Sequence, residues 1–249
     1  MIIDAHAHIG HWEASDFTPE YVIRLMRGSG VDLALISNLE GIGRDTDQTQ
    51  ANRRTRQAVL AYPDMLRGLV WINPWLADQA LKDARDCLEA GFVGLKFHPF
   101  HNSFYFDSPP VKPFVHLARE YQAPVAVHTA YDDYSRPEHV VTVAAEFCDV
   151  KFILFHAGLN PPDAATGIQV FQQAAAYSNL YTDISWLDLD RLHQAMDIMP
   201  IERLLFGTDV PLGGEEHYRA YFEKLAALGL NSDQWTRLVE TNSRNVFKL

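Results

Sequence analysis

The sequence has few cysteines, few basic residues and no long apolar run. Two cysteines, Cys87 and Cys148, in 249 residues exclude a disulfide framework, and their apolar neighbours in predicted helices indicate small buried hydrophobes. Lys and Arg total 21 against 32 Asp and Glu, for a formal charge of −11. This balance argues against nucleic acid and anionic membranes as partners, because both require a positive field. No run reaches the roughly 18 apolar residues of a membrane span.

The remaining composition is that of a globular protein. Hydrophobic residues make up 47% and charged residues 21%, and a chain of this length buries a sizeable core without disulfides. The stretch Met1–His6 has neither a basic region nor an apolar core, so we expect no signal peptide and a cytoplasmic location. No linker or composition shift divides residues 1–249, which predicts a single domain. The sequence leaves a homo-oligomer open.

Short apolar runs recur about every 25–35 residues, the length of a strand–helix–strand unit. Most are continuous and not alternating, which is typical of strands buried on both faces of a parallel sheet. The predicted strands are Ile2–Ala5, Leu33–Ser37, Leu66–Ile72, Phe92–Phe97, Pro124–Val127, Lys151–Phe155, Leu180–Ile184 and Arg203–Phe206.

Helical periodicity fills the intervals between these runs. The clearest stripes lie over residues 77–88, 137–148 and 218–228; weaker ones cover 19–29, 46–62, 111–122, 163–177 and 190–199, and a further helix is expected at 233–243. Eight strands alternating with eight helices predict a single-domain α/β fold, the (β/α)8 TIM barrel. An open doubly wound sheet is the competing architecture, and the residues at the strand ends favour the barrel.

Chemistry in a (β/α)8 barrel is built at the carboxyl ends of the strands. Those positions carry an unusual set of side chains: His6 and His8, Lys96 and His98, His128, His156 and Asp209. Histidines at i and i+2 on a strand project to the same face, so both rings reach one ion. Imidazole and carboxylate are the ligands of catalytic zinc. A lone His-x-His motif is weak evidence, but the joint pattern predicts a divalent-metal site.

Several motifs resemble the amidohydrolase superfamily, most closely its amidohydrolase-related branch, which includes the aminocarboxymuconate-semialdehyde decarboxylase type. They run in the family's order from end to end of the chain: Asp4–Gly10, Gly94–Pro99, Val127–Thr129, Phe155–Gly158, Phe206–Asp209 and the tail Glu240–Phe247. The resemblance implies a distorted TIM barrel that holds one divalent metal ion, usually zinc.

The resemblance also implies roles for single residues. His6, His8 and His128 match metal ligands, and Asp209 matches the carboxylate that binds the metal and acts as the base toward water. His156 matches a histidine that orients or polarises water or substrate in this branch and ligates metal in others. Lys96 takes the place of the bridging residue of two-metal relatives, but its Gly-x-Lys-x-His-Pro context is typical of one-metal relatives.

We also expect contacts to a small-molecule substrate. Lys96 offers positive charge, Arg44 is positioned to pair with a substrate carboxylate, and Tyr131 and Trp186 point toward the same mouth as His98. The aromatic loop 98–107 either lines the pocket or packs onto the barrel.

These residues predict a metal-dependent hydrolase of a small, carboxylated substrate. Asp209 takes a proton from the metal-held water, the hydroxide attacks an ester, lactone or amide carbonyl, and the metal or His156 stabilises the oxyanion. The same residues suit a second hypothesis, non-oxidative decarboxylation of an aromatic or unsaturated acid gripped by an arginine. A non-catalytic metal-binding protein is the third hypothesis.

Overall fold

The computed structural model describes all 249 residues and contains nine strands in one sheet. Their order is β2-β1-β3-β4-β5-β6-β7-β8-β9. They are β1 (Ile3–Trp12), β2 (Ser15–Phe17), β3 (Leu33–Asn38), β4 (Leu66–Ile72), β5 (Gly94–Phe97), β6 (Val125–Ala130), β7 (Phe152–Leu159), β8 (Leu180–Asp183) and β9 (Leu204–Leu205). Only β2 is antiparallel, in a hairpin with β1, so the other eight strands are parallel.

The chain after β9 closes the sheet onto β1. The backbone N–H of Ala5 donates to the carbonyl of Phe206 at 2.8 Å, and that of His8 donates to Val210 at 2.8 Å. An isolated parallel bridge joins Ala7 to Val210. Closure makes the structure a (β/α)8 TIM barrel, which confirms the predicted fold class.

The helices surround the barrel. They are α1 (Pro19–Ser29), α2 (Gln48–Ala61), α3 (Ala77–Glu89), α4 (Pro99–Asn102), α5 (Lys112–Tyr121), α6 (Pro137–Glu146), α7 (Ala164–Ala176), α8 (Leu189–Ile198), α9 (His217–Ala227), α10 (Ser232–Thr236) and α11 (Asn242–Phe247). A π-helical turn, Arg237–Thr241, joins the last two, where a single helix was expected. No helix combines the length and the apolar character needed to cross a bilayer.

Apolar side chains form two clusters, one on each side of the strands. The larger cluster packs the helices onto the outside of the barrel. The smaller cluster comes mainly from alternate strand positions such as Ile3, Ala5 and Phe155, and Val246 and Phe247 of α11 pack against it. The barrel interior is therefore filled with side chains, and the chemistry lies at the strand ends.

Other local expectations also differ from the structure: β1 continues to Trp12 and β7 to Leu159, past their predicted ends. The β1–β2 hairpin was not predicted, because Ser15–Phe17 is short, polar and largely exposed. The prediction that both cysteines are buried in helices is wrong for Cys148: α6 ends at Glu146, and Cys148 is exposed beyond it, whereas Cys87 is buried in α3.

Candidate metal centre

Three predicted ligands meet at one point where β1 and the chain after β9 run side by side. His6 and His8 project to the same face of β1, and their Nε2 atoms are 3.1 Å apart. Asp209 Oδ1 lies 3.2 Å from His6 Nε2 and 2.9 Å from His8 Nε2. The register is held by the Asp209 N–H, which donates to the His6 carbonyl at 2.8 Å.

These atoms have the chemistry and spacing of a divalent-metal site. Ligands at about 2.0–2.1 Å from a tetrahedral zinc ion are about 3.3 Å from one another, close to the three separations above. The three residues form a buried group able to hold a metal ion. Two imidazole nitrogens and one carboxylate oxygen, all buried and all facing one point, are the donor set that zinc takes, so the residues fit a metal ion.

Both histidine rings have a partner on their far side. His6 Nδ1 lies 2.7 Å from Asp183 Oδ2, and His8 Nδ1 lies 3.0 Å from Ser37 Oγ. Partners of this kind fix the tautomer and the ring orientation of metal-binding histidines. Asp183 comes from the end of β8 and Ser37 from β3, so the adjacent strand β3 and the more distant strand β8 orient the rings of β1.

Two of the buried histidines, His6 and His156, are held in the neutral form that binds metal. Burial is the main cause that lowers the pKa of His6 well below its usual range, and the charge of Lys96 adds to it. Burial also lowers the pKa of His156 to about 4, although the charge of Asp209 opposes the shift. Neutral imidazole has a free nitrogen lone pair, as coordination requires.

Asp209 is held as a carboxylate. Burial raises its pKa, but the hydrogen bonds from His8 and Trp186, and the charge that His156 takes up below its own pKa of about 4, outweigh burial and bring the pKa of Asp209 to about 2. Trp186 Nε1 donates to Asp209 Oδ2 at 2.6 Å. One oxygen of Asp209 thus faces the two histidines, and the other is fixed by an indole.

His156 and His128 lie beside this centre. His156 belongs to a second buried group with His6 and Asp183, whereas His128 is in neither group. The ring of His128 stacks on His98 with centroids 3.8 Å apart and meets the ring of His156 at 4.8 Å. His128 is therefore a pocket residue next to the three-residue centre, and its role as a ligand stays a prediction.

Lys96 brings a buried amine to the same place. Its Nζ is 3.3 Å from His6 Nε2 and 4.1 Å from the centroid of the Phe155 ring. Burial lowers its pKa to about 7, while the charges of Asp209 and Asp183 raise it. The side chain lines the pocket and makes no direct ion pair with a carboxylate.

The pocket above the centre is a cavity of about 260 Å³. Part of its wall carries an amine and four imidazoles, and the remaining wall is apolar, formed by Trp12, Leu39, Phe100, Leu159, Trp186 and Leu212. The basic side chains are Lys96, His98, His101, His128 and His156. The size and lining suit a small molecule with one apolar face. A larger groove of about 580 Å³ lies beside the β1–β2 hairpin, but none of the predicted site residues lines it.

Two predicted substrate contacts lie outside this pocket. Arg44 is exposed and stacks over the Trp75 ring at 4.6 Å. The Tyr131 hydroxyl donates to the Thr166 carbonyl at 3.2 Å, and neither Arg44 nor Tyr131 lines the pocket. Both residues follow strand ends, but their side chains turn toward Trp75, after β4, and Thr166, in α7, and not toward the centre.

Some residues of the aromatic loop after β5 pack onto the barrel, and others line the pocket. Phe104 and Phe106 are buried in the core around Phe97. Phe100 and His101, in the short helix α4, line the pocket. The loop therefore both packs onto the barrel and contributes to the mouth.

Ser37, Ser185 and Trp12 are site residues that the sequence did not single out. Ser185 follows the strand-end residue Asp183 by two positions, which is the only local signal, and buried serines are common without function. Asp4, the first residue of the β1 motif, accepts from the backbone N–H groups of His6 and Thr208 at 3.0 and 3.1 Å. These hydrogen bonds join the backbone of β1 to the chain after β9 and do not orient a histidine ring.

Similarity to solved structures extends over the whole barrel. An amidohydrolase II structure is 19% identical, with 100% of both chains covered and a TM-score of 0.82. A 2,6-dihydroxybenzoate decarboxylase from Rhizobium is 16% identical, with 99% of this chain and 98% of that chain covered and a TM-score of 0.76. A 4-oxalomesaconate hydratase from Rhodopseudomonas palustris is 16% identical, with 100% and 96% covered and a TM-score of 0.74. At these identities the likeness establishes the fold alone.

No curated protein matches the sequence. A family model described as Amidohydrolase matches residues 3–249. The match includes β1 with its two histidines, the basic strand ends and the Gly-Thr-Asp turn after β9. The chain therefore belongs to the amidohydrolase family.

Proposed function

We propose that this protein is a metal-dependent hydrolase that uses water to cleave an ester, lactone or amide bond in a small, carboxylated substrate. The observation that carries the proposal is the convergence of His6, His8 and Asp209 beside a small pocket. Two imidazoles and a carboxylate match the ligands of catalytic zinc, so zinc is the proposed metal. A bound ion of this kind supplies Lewis acidity, which makes water nucleophilic near neutral pH.

The side chains of the pocket supply the remaining chemistry. Asp209 is an ionised carboxylate fixed by Trp186, so it accepts the proton that the attacking water releases. The water oxygen bonds to the carbonyl carbon, and negative charge develops on the carbonyl oxygen. When the carbonyl re-forms, the bond to the leaving oxygen or nitrogen breaks, and that atom takes up the proton held by Asp209. The amine of Lys96, buried in the pocket wall, supplies positive charge to the anionic groups of the substrate and the transition state. Apolar residues at the mouth limit the access of bulk water.

Hydrolysis is favoured over the decarboxylation hypothesis by the composition of the pocket. That hypothesis requires an arginine to grip the carboxylate that leaves. Arg44 stacks on Trp75, and no arginine lines the pocket. Lys96 is a single-point donor and does not offer the planar two-point pairing of a guanidinium.

The experiment is a parallel assay of both reactions on the metal-free and zinc-reconstituted protein. Panels of esters, lactones and amides are tested for hydrolysis, and a panel of hydroxybenzoates is tested for carbon dioxide release. We expect zinc-restorable hydrolysis and a loss of about 10²–10⁴-fold in Asp209→Asn. Asp47→Asn, a change at a distant helix N-terminus, is the control and should retain full activity.

Two outcomes would overturn the proposal. Carbon dioxide release without hydrolysis of any ester, lactone or amide would assign the centre to decarboxylation. Tight zinc binding with no turnover in either panel would support the non-catalytic hypothesis.

A further inference from the structure

Ser185 is a fully buried polar residue that the proposed reaction does not use. It lies in the turn after β8, two positions beyond Asp183. Its Oγ is 2.7 Å from Asp183 Oδ2 and 2.7 Å from His156 Nδ1. A serine hydroxyl has one hydrogen to donate and two lone pairs to accept with. The hydroxyl therefore connects the carboxylate to the imidazole, and the position of its hydrogen decides which ring nitrogen of His156 is protonated.

The other contacts of Asp183 fix the direction of these hydrogen bonds. The backbone N–H of His156 donates to Asp183 Oδ1 at 2.7 Å. The ring of His6 presents Nε2 to His8 and Asp209, so its hydrogen is on Nδ1, which donates to Asp183 Oδ2 at 2.7 Å. In its ionised form the carboxylate is thus an acceptor toward each neighbour. Ser185 donates to the carboxylate, and a lone pair of its Oγ accepts from His156 Nδ1–H.

We infer that Ser185 is a positioning residue that holds His156 in its Nδ1–H tautomer, with Nε2 as a hydrogen-bond acceptor for the pocket. The backbone supports the same orientation. His156 has a left-handed backbone with φ of 70°, which is uncommon for a residue other than glycine, and its N–H is bonded to Asp183. Nε2 has no hydrogen-bond partner in the protein, and His156 lines the pocket.

This inference deepens the proposed function and rests on it for its catalytic meaning. A lone pair on Nε2 accepts a hydrogen bond from water and so orients the water for attack. The same nitrogen has no hydrogen to donate to an oxyanion, the second role predicted for His156. Positive charge for the oxyanion must then come from elsewhere in the pocket, and the buried amine of Lys96 is the protein group available.

The test is the protonation pattern of the His156 ring in the zinc-loaded protein. Protein labelled with ¹⁵N-histidine is examined by long-range ¹H–¹⁵N correlation, and the signals missing in His156→Gln identify the ring. We expect Nδ1 to be protonated and Nε2 to be unprotonated. In Ser185→Ala we expect the ring to exchange between tautomers. Ser243→Ala is the matched control, because Ser243 is equally buried and its Oγ has no hydrogen-bond partner.

In an active preparation, Ser185→Ala should lower kcat by about 10–100-fold, the usual effect of removing a group that orients a site histidine, with a smaller change in KM. A proton on Nε2 of His156 in the wild-type protein would overturn the inference, and so would an unchanged ring pattern in Ser185→Ala. If Ser185→Ala fails to fold, the wild-type spectrum alone decides. The spectrum requires no substrate, so a failure of the hydrolase proposal is distinguished from a failure of this inference.

Discussion

Replacing Asp183 by asparagine tests how the barrel prepares its metal ligands. The carboxylate is fully buried and accepts hydrogen bonds from His6 Nδ1, Ser185 Oγ and the His156 N–H, each at 2.7 Å. Asparagine has the same shape as aspartate, but its NH₂ group faces one of these donors. It also lacks the negative charge of the carboxylate. The His6 ring then loses the partner that holds its hydrogen on Nδ1 and its lone pair on Nε2.

The expected loss of zinc affinity follows from these contacts of Asp183. Removing the partner of a metal-binding histidine typically weakens metal binding by about 10–100-fold, which corresponds to about 1.4–2.7 kcal/mol. The assay is competition for zinc between the protein and a chromophoric chelator near neutral pH, with circular dichroism to show that the barrel is intact.

Asp47→Asn is the matched control for this charge loss. Asp47 caps α2 through the Thr49 N–H at 2.9 Å, and asparagine caps helices as well as aspartate. We expect wild-type zinc affinity for this variant. Zinc affinity in Asp183→Asn equal to that of the wild type would refute the claim that Asp183 orients His6.

Three further predictions concern other parts of the chain. Trp186→Phe removes the indole donor to Asp209 Oδ2. Hydrogen bonds to charged groups contribute about 1.5–3 kcal/mol. We therefore expect kcat/KM for the most active substrate to fall by about 10–100-fold. Thiol titration at mildly alkaline pH should modify one cysteine, the exposed Cys148, because burial raises the pKa of Cys87 to about 12 and disfavours its thiolate; two fast thiols in the native protein would contradict this. Phe247→Ala should lower the free energy of unfolding in urea by about 3–5 kcal/mol, because Phe247 is buried against the barrel interior.

Much of the barrel could be predicted because its strands have a strong local signal. A strand buried on both faces is mostly a continuous apolar run, as in Leu33–Ile36 and Leu69–Ile72. The hairpin strand Ser15–Phe17 lacks that signal, since it is short and pairs only with the exposed end of β1. Cys148 shows the same limit for helices: apolar periodicity locates α6 but not the residue at which it ends.

The residues of the candidate metal centre could also be predicted only in part. His6, His8 and Asp209 could be placed together because the carboxyl ends of barrel strands share one rim. Arg44 and Tyr131 also follow strands, but the path of a loop depends on tertiary contacts such as the Trp75 ring and the Thr166 carbonyl. No local pattern encodes those contacts.

The central claim is that His6, His8 and Asp209 hold a catalytic metal ion. Its most direct test is anomalous diffraction, above and below the zinc absorption edge, from crystals of the zinc-loaded protein. We expect one strong anomalous peak within bonding distance of His6 Nε2, His8 Nε2 and an Asp209 carboxylate oxygen. A peak elsewhere, or none at this position in zinc-saturated crystals, would contradict it.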